Sequence, residues 1–173
     1  YKRQFPFVPD ISFEEHTVDL PFRQQLAQEA VQTYVVTHVV DGDTVDVTSA
    51  DGVKQRVRFV GIDTPETVDP RKQVECEGPE ASQRMKALLH GKTVTLERKP
   101  DEDTDQYGRA LRYVFLDGED IGARMISEGY AESICDRYPH PKCALYDQME
   151  AAAKNAGKGR WLTCANIRST PTP

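Results

Sequence analysis

Residues 33–62 constrain the fold most, because they hold three strand-like segments separated by two tight turns. Residues 33–40 are rich in β-branched side chains, and residues 44–48 alternate valines with polar residues. Both patterns are typical of β-strands. The first turn, Asp41-Gly42-Asp43, contains a glycine that is free to take positive φ, and residues 50–52 form the second turn. This pattern predicts an antiparallel meander whose third strand covers residues 53–62.

The rest of the chain supplies two more strands and several helices. Five strands with a helix after the third is the layout of an OB-type barrel. We therefore expect an α+β fold, a five-stranded OB-fold Greek-key barrel with about three helices. The predicted later strands are 93–97 and 110–116, and the predicted helices are 79–89, 121–128 and 145–156.

The predicted domain organisation has three parts. Residues 33–165 form the barrel domain. Residues 1–32 form an N-terminal extension that is either extended or a short helix over 22–30, where a proline stands just before the first turn. Residues 166–173 form a loose tail rich in threonine and proline.

Composition predicts a soluble globular domain. Of 173 residues, 38% are hydrophobic and 29% are charged, which argues against a disordered chain. No apolar run approaches the ~20 residues of a membrane-spanning helix. The net charge of −6 disfavours a nucleic-acid partner, but residues 52–99 hold ten Lys and Arg against seven Asp and Glu. This basic central segment leaves binding to a polyanion open.

Four cysteines leave three interpretations open. An even number without a Cys-x-x-Cys motif suits two disulfides in an exported protein. Four reduced, buried thiols in a cytosolic protein are the second interpretation. In the third, Cys135, Cys143 and Cys164 bind zinc together with His140, although this spacing matches no common structural zinc motif. The remaining cysteine is Cys76.

Carboxylates stand where the strand pattern brings chain segments together. Asp43 starts the second strand and Asp63 ends the third, so a meander places both at one end of the sheet. Two carboxylates, a backbone carbonyl and water form a natural oxygen shell for Ca²⁺. The acidic run 101–105 begins like an EF-hand loop, but Gln106 and Arg112 occupy the positions that require glycine and glutamate. We expect that run to be a solvated loop.

Two arginines and one glutamate add phosphate and water chemistry. Arg58 lies on the third strand, and its odd separation from Asp63 places the two side chains on opposite faces unless the strand bulges. Arg109 opens the fifth strand directly after a glycine-containing turn. Guanidinium groups recognise phosphate in bidentate fashion. Glu66 follows a proline, and a fixed carboxylate beside a metal can orient or deprotonate water.

Taken together, these segments resemble the staphylococcal nuclease (thermonuclease) family over residues 33–161. An Asp-Thr-Pro-Glu motif followed by Tyr-Gly-Arg in this order is highly specific. The resemblance implies an OB-fold enzyme that hydrolyses DNA and RNA with Ca²⁺ and leaves 3′-phosphate ends. Its expected partners are nucleic acids alone, and the expected state is a monomer. The matching motifs are Asp41-Gly42-Asp43-Thr44, Asp63-Thr64-Pro65-Glu66-Thr67, Gly78-Pro79-Glu80-Ala81, Thr104-Asp105, Tyr107-Gly108-Arg109 and Gly159-Arg160-Trp161.

The resemblance also implies roles for individual residues. The metal ligands are Asp43, Asp63 and the carbonyl of Thr64. Glu66 positions or activates water, while the scissile phosphate is held by Arg58 and Arg109. The residues implied to contact the substrate are Tyr107, Arg137 and Tyr138.

This sequence departs from the best-known members in the residues that hold the substrate. Gln106 replaces a lysine, and Cys135 and Arg137 replace two tyrosines, with Tyr138 adjacent to the second position. These changes alter substrate contacts and leave the metal and phosphate residues complete. The rival interpretation is a non-catalytic OB-type module that binds nucleic acid or protein, but degenerate domains of that kind lose the acids and arginines kept here.

Secreted members of the family imply a disulfide pairing. A bridge commonly joins a cysteine before the Gly-x-Glu-Ala helix to one after the final tryptophan. By that resemblance we expect Cys76–Cys164, which leaves Cys135–Cys143 as the second bridge. The two bridges predict an exported or extracytoplasmic protein.

Overall fold

The computed structural model of the chain describes residues 31–65, 67 and 75–168, with side chains described as far as residue 164. Among these residues, no helix is both long enough and apolar enough to span a membrane. The predictions for residues 1–30, including a helix over 22–30, lie outside the described part of the chain. The same holds for Glu66 and for residues 169–173.

Five strands close into a barrel. They are β1 (Thr33–Val39), β2 (Thr44–Ser49), β3 (Lys54–Phe59), β5 (Thr93–Arg98) and β6 (Ala110–Leu116). They pair in the order β3–β2–β1–β5–β6, and a parallel pairing between β3 and β6 closes the ring. All other pairings around the ring are antiparallel. The predicted OB-type barrel is therefore confirmed.

Alternating valines build the interior of the barrel. Val45 and Val47 on β2 and Val57 on β3 are fully buried, and the residues between them are more exposed. Two buried methionines, Met85 and Met125, pack against this interior from the helices. Burying a side chain of this size contributes roughly 1.5–3 kcal/mol.

The predicted third strand is broken in the structure. It ends at Phe59, Gly61 has a φ of 75°, and the chain then forms β4 (Ile62–Asp63). Two more short strands, β7 (Glu119–Asp120) and β8 (Glu132–Ser133), pair with β6 and β4, respectively. The turn at Gly61 therefore separates Arg58 from Asp63 and removes the strand alternation that disfavoured their meeting.

Four helices are described, one more than predicted. α1 (Gly78–Leu89), α2 (Ile121–Ser127) and α3 (Cys143–Asn155) correspond to the three predicted helices, with α3 starting two residues early. α4 (Arg160–Arg168) was not predicted, and it extends three residues into the expected tail. The Arg160 guanidinium pairs with Glu132 at 2.8 Å, and Lys154 of α3 lies over the Trp161 ring, 4.4 Å from its centre. These tertiary contacts hold α4 against the rest of the molecule.

Two disulfides join the four cysteines. Cys76 bonds to Cys164, and Cys135 bonds to Cys143. The pairing implied by the resemblance is confirmed, and the interpretation as four reduced thiols is wrong. Donor atoms of Cys135, His140 and Cys143 do lie within 4.8 Å of one another. Because both sulfurs are bonded to each other, and Cys164 belongs to the other bridge, the zinc interpretation is wrong as well.

Candidate active site

The Asp41–Asp43 turn approaches Thr64 at one end of the barrel. Asp43 is only 6% exposed, and its Oδ2 accepts hydrogen bonds from the Thr64 backbone N–H at 3.0 Å and hydroxyl at 3.1 Å. A Cβ atom on Gly42 would lie 2.7 Å from the Thr64 hydroxyl oxygen. Gly42 does not use the positive φ that is open to a glycine. This glycine is required because of the close approach, which brings Asp43 beside the predicted ligand Thr64.

Arg58 joins the two predicted metal ligands. Its Nη2 lies 3.0 Å from Asp63 Oδ1 and 3.2 Å from Asp43 Oδ2. Its Nη1 donates to the Ile62 carbonyl at 2.8 Å, which fixes the guanidinium under the β3–β4 turn. Asp43, Asp63 and Arg58 therefore converge at one point, as the resemblance implied and strand alternation alone did not.

A third carboxylate, Asp41, belongs to this cluster and was missed as a site residue. Its Oδ1 accepts the Asp43 backbone N–H at 3.1 Å. Burial, and then repulsion from Asp43, raise the pKa of Asp41 to about 7. The same two causes, in that order, raise the pKa of Asp63. Crowded acids of this kind are stabilised by a nearby cation, so the charge and oxygen donors of the cluster fit a hard divalent ion.

Asp105 orients the second arginine. Its carboxylate accepts the Arg109 Nε–H at 2.6 Å and the backbone N–H groups of Arg109 and Tyr107 at 3.0 and 2.9 Å. Burial of Asp105 opposes ionisation, but these hydrogen bonds outweigh it and leave its pKa lowered. The Arg109 guanidinium also lies over the Tyr107 ring, 5.3 Å from its centre. Asp105 therefore holds Arg109 and Tyr107 in one fixed arrangement.

Residues 101–104 are exposed, as expected of a solvated loop, whereas Asp105 is half-buried and held by Arg109. Asp103 is likewise paired, with Arg112 at 2.7 Å and with Arg98 at 3.0 Å. Leu111 donates its backbone N–H to the Asp103 carbonyl at 2.9 Å. The acidic run is thus tied to the first residues of β6, which places Arg109 next to the barrel rather than on a free loop.

A disulfide-closed loop, residues 135–143, carries the other predicted substrate residues. Arg137 and Tyr138 are 55% and 59% exposed, respectively. Arg137 reaches to within 4.0 Å of Asp63 Oδ2. Inside the loop, His140 is buried, and its Nδ1 lies 2.9 Å from the Tyr113 hydroxyl. Burial lowers the pKa of His140, which favours a neutral imidazole packed beneath the loop.

The same histidine explains the glycine at the strand break. A Cβ atom on Gly61 would lie 2.0 Å from His140 Nε2. The Gly61 carbonyl accepts the Ile134 backbone N–H at 3.0 Å. The β3–β4 turn and the 135–143 loop therefore fit directly against each other. This contact couples the position of Asp63 to that of Arg137 and Tyr138.

The β3–β4 turn, the segment 105–109 and the 135–143 loop line one concave surface, here called the cleft, of about 450 Å³. Its walls combine carboxylates, guanidinium groups and exposed aromatic rings, which suits a phosphodiester and its bases. The predicted residues that line it are Arg58, Asp63, Tyr107, Arg109, Arg137 and Tyr138.

Comparison of the sequence with known proteins identifies one family. The family of staphylococcal nuclease homologues matches residues 56–163. The chain belongs to the staphylococcal nuclease family. Thermonuclease of Staphylococcus hyicus is 37% identical over 149 residues, 86% of this chain and 85% of that protein. Thermonuclease of Staphylococcus intermedius is 36% identical over 140 residues, 81% and 80% of the respective chains. Endonuclease YncB of Bacillus subtilis (strain 168) is 36% identical over 104 residues, 60% and 49% of the two chains.

Within the staphylococcal nuclease fold, sequence reasoning missed three residues that shape the site. Asp41 was assigned to a turn and Asp105 to an acidic loop, and both belonged to matching motifs without a role of their own, while His140 was assigned only to a zinc site. The signal for Asp41 was its place two residues before a predicted ligand. Asp105 could have been found from its position two residues before the Tyr-Gly-Arg motif. For His140 no local signal exists, because its contacts to Tyr113 and Gly61 are distant in sequence.

Proposed function

We propose that this protein is a calcium-dependent nuclease that hydrolyses DNA and RNA with little sequence preference and leaves 3′-phosphate ends. The observation that carries the proposal is the convergence of Asp43, Asp63 and Arg58 at the edge of the cleft that also presents Arg109. Carboxylates for a hard cation and guanidinium groups for a phosphate thus lie within one site. The thermonuclease and endonuclease relatives support the same class of activity.

In this proposal Asp43 and Asp63 hold Ca²⁺, with Asp41 as a further carboxylate and the Thr64 carbonyl as a backbone ligand. When bound, Ca²⁺ supplies positive charge that polarises the phosphate and favours ionisation of nearby water. The buried Asp43 is fixed by Thr64, so the ligand set is held in place before the ion arrives.

The chain's own cations act on the phosphate. Arg109, oriented through its Nε by Asp105, directs its terminal nitrogens into the cleft, and Arg58 lies at the metal edge. Both stabilise negative charge that develops on the phosphate oxygens, and removing one such donor typically costs ~10²–10³ in rate. We assign Glu66, which lies outside the described residues, to positioning or deprotonating the attacking water.

The exposed rings and cation of the cleft walls hold the substrate. Tyr107 and Tyr138 offer faces on which bases can stack, and Arg137 offers a guanidinium to a neighbouring phosphate. Contacts of this kind carry little base discrimination, which suits broad specificity. The two disulfides suit an oxidising compartment, and we propose that the protein is exported.

Plasmid degradation in Ca²⁺ or EDTA tests the proposal. The wild-type protein should cleave in Ca²⁺ and not in EDTA, and Arg58→Ala and Glu66→Gln should each lose at least ~100-fold in rate. Full activity in both variants would show that the site is wrongly assigned. A wild-type protein that binds DNA without cleaving it in Ca²⁺ would instead identify a non-catalytic binding module.

A further inference from the structure

A row of three cations begins at the edge of the cleft and runs outward along the outer face of β3. Val57 and Phe59 on this strand are buried, so the alternate residues Lys54, Arg56 and Arg58 share the opposite face. Lys54 and Arg56 are exposed, and Arg58 is half-buried at the metal edge. Neighbouring members of this cation row are two residues apart, or roughly 6.8 Å along a strand. That spacing is close to the separation of successive phosphates on an extended nucleic-acid strand.

A second concave surface covers the outer part of this row. This side groove, of about 540 Å³, is lined by Lys54 and Arg56 of β3. Asp46 of β2 and Thr37 and His38 of β1 line it as well. Its remaining wall is formed by Tyr107 and Arg109, which also line the cleft. The side groove and the cleft therefore meet at Tyr107 and Arg109, and a chain leaving the cleft passes directly into the groove.

The charge of the groove favours a polyanion although the whole protein is acidic. The residues of β2 opposite Arg58, Arg56 and Lys54 are Thr44, Asp46 and Thr48. Asp46 is thus the β2 acid beside the two outer cations, Lys54 and Arg56, while Arg58 pairs with Asp43 and Asp63 at the metal edge. Asp46 holds Arg56 through two hydrogen bonds, from Nε to Oδ1 at 2.7 Å and from Nη2 to Oδ2 at 2.9 Å. The arginine side chain is still 53% exposed, and a guanidinium has five N–H donors, so the donors that Asp46 does not use can bind a phosphate. Within the described part of the chain, Lys54 has no acidic side chain at ion-pair distance.

We propose that the cation row is a subsite for the sugar–phosphate backbone of nucleotides that flank the scissile phosphate. Arg58 lies at the phosphate to be cut, and Arg56 and Lys54 bind the phosphates beyond it. The inference rests on the proposed nuclease function and deepens it: the preferred substrate is a polynucleotide long enough to fill the side groove. Short substrates use the cleft alone.

Binding of a single-stranded oligonucleotide of about eight nucleotides, within the roughly 4–16 that one OB fold covers, tests the subsite. The full chain is titrated in EDTA at several salt concentrations, as wild type and as Lys54→Gln/Arg56→Gln. Each lost phosphate contact lowers the slope of log affinity against log salt by ~0.7, so the double variant should lose about 1.4. The control Lys86→Gln/Lys92→Gln removes two exposed lysines that line neither surface and should keep the wild-type slope. Equal slopes in both double variants would overturn the subsite.

Kinetics in Ca²⁺ separates the subsite from the nuclease function. The KM for the longer substrate should rise roughly 3- to 10-fold in Lys54→Gln/Arg56→Gln, at least threefold more than the KM for a dinucleotide. Equal rises for both substrates would overturn the subsite while leaving the nuclease function standing. If the wild type cleaves neither substrate, the nuclease function fails, and the salt dependence of binding still decides whether the cation row contacts phosphate.

Discussion

At Gly42 the chain has room for a hydrogen atom and for nothing larger. Alanine there would place its Cβ 2.7 Å from the Thr64 hydroxyl and push the Asp43 turn away from its partner. We expect Gly42→Ala to lower Ca²⁺ affinity and kcat/KM at least ~10-fold, since small displacements of positioned groups are costly.

The matched control for Gly42→Ala is Gly52→Ala. Gly52 has a φ of 85°, and a Cβ added there would meet no atom within 4 Å. Alanine at this position therefore strains the backbone by about 1 kcal/mol without touching the site. Calorimetric Ca²⁺ titration and thermal unfolding compare the two variants. Wild-type Ca²⁺ affinity in Gly42→Ala would contradict the close-approach argument.

Asp105 acts on the reaction through Arg109 and is therefore a positioning residue. Asp105→Asn keeps the size of the side chain and removes the charge that fixes the Arg109 guanidinium. We expect kcat to fall about 10-fold, as charge-assisted hydrogen bonds are the stronger ones, while Ca²⁺ affinity stays at the wild-type value. Asp103→Asn, on the same loop but paired with Arg98 and Arg112, should leave kcat unchanged. Equal kcat losses in the two variants would reduce Asp105 to a structural role.

The crowded carboxylates make stability depend on pH when no metal is bound. The folded state raises the pKa of Asp41 to about 7, so it binds this proton more tightly than the unfolded chain. The free energy of unfolding in EDTA should therefore fall as pH rises from about 4 towards 7, by a few kcal/mol at ~1.4 kcal/mol per pKa unit. Asp63, whose pKa is also raised, contributes in the same direction.

Urea unfolding across this pH range measures the effect. Asp41→Asn retains an oxygen to accept the Asp43 backbone N–H but carries no charge. The free energy of unfolding of Asp41→Asn should depend less on pH than that of the wild type. The variant should also be more stable than the wild type in EDTA at pH 7. Adding Ca²⁺ should restore stability to the wild type near neutral pH, because the ion binds only the folded state. If the free energy of unfolding of Asp41→Asn depends on pH as steeply as that of the wild type, the raised pKa of Asp41 is not the cause of the pH dependence.

At the scale of elements, the two disulfides have separable roles. In the loop-entropy description, closing a loop of 88 residues contributes ~4.6 kcal/mol and one of 8 residues ~2.5 kcal/mol. Cys76→Ala/Cys164→Ala should therefore cost more stability. Cys135→Ala/Cys143→Ala should raise KM more, because that bridge closes the loop that presents Arg137 and Tyr138 to the cleft.

Urea unfolding and steady-state kinetics on both double variants test whether one variant loses more stability and the other shows the larger rise in KM. A larger rise in KM in Cys76→Ala/Cys164→Ala, the less stable variant, would contradict a role for the 135–143 loop in holding substrate. Wild-type KM in both variants would contradict it equally.

Local patterns predicted the elements better than their ends. Alternating valines at 45 and 47 and the glycines after α2 and α3 indicate strands and helices from neighbouring residues alone. The break at Gly61 depends on His140, nearly eighty positions away in sequence, so no local pattern indicates it. α4 was missed for the same reason, since Glu132 and the disulfide from Cys76 hold it in place.

At the scale of the whole molecule, barrel closure assembles the site. The parallel pairing of β3 with β6 places Val57 opposite Ala110 and Arg58 opposite Leu111, which brings the segment after Arg109 beside the metal edge. Sequence spacing could not predict this, because a helix and two strands, β4 and β5, separate β3 from β6 in the sequence. The resemblance to a family predicted that Arg58 and Asp63 belong to one site. The turn at Gly61 is the physical reason why the two side chains can meet.

The central claim is that the acidic end of the barrel binds the divalent cation of a hydrolytic site. Isothermal titration of Ca²⁺ into the wild type and Asp43→Ala tests it most directly, with Glu80→Ala, an exposed acid on α1, as the control. The account predicts one Ca²⁺ site in the wild type and in Glu80→Ala, and at least ~10-fold weaker binding in Asp43→Ala, since both charge and a fixed ligand are lost. Equal Ca²⁺ affinity in all three proteins would contradict it.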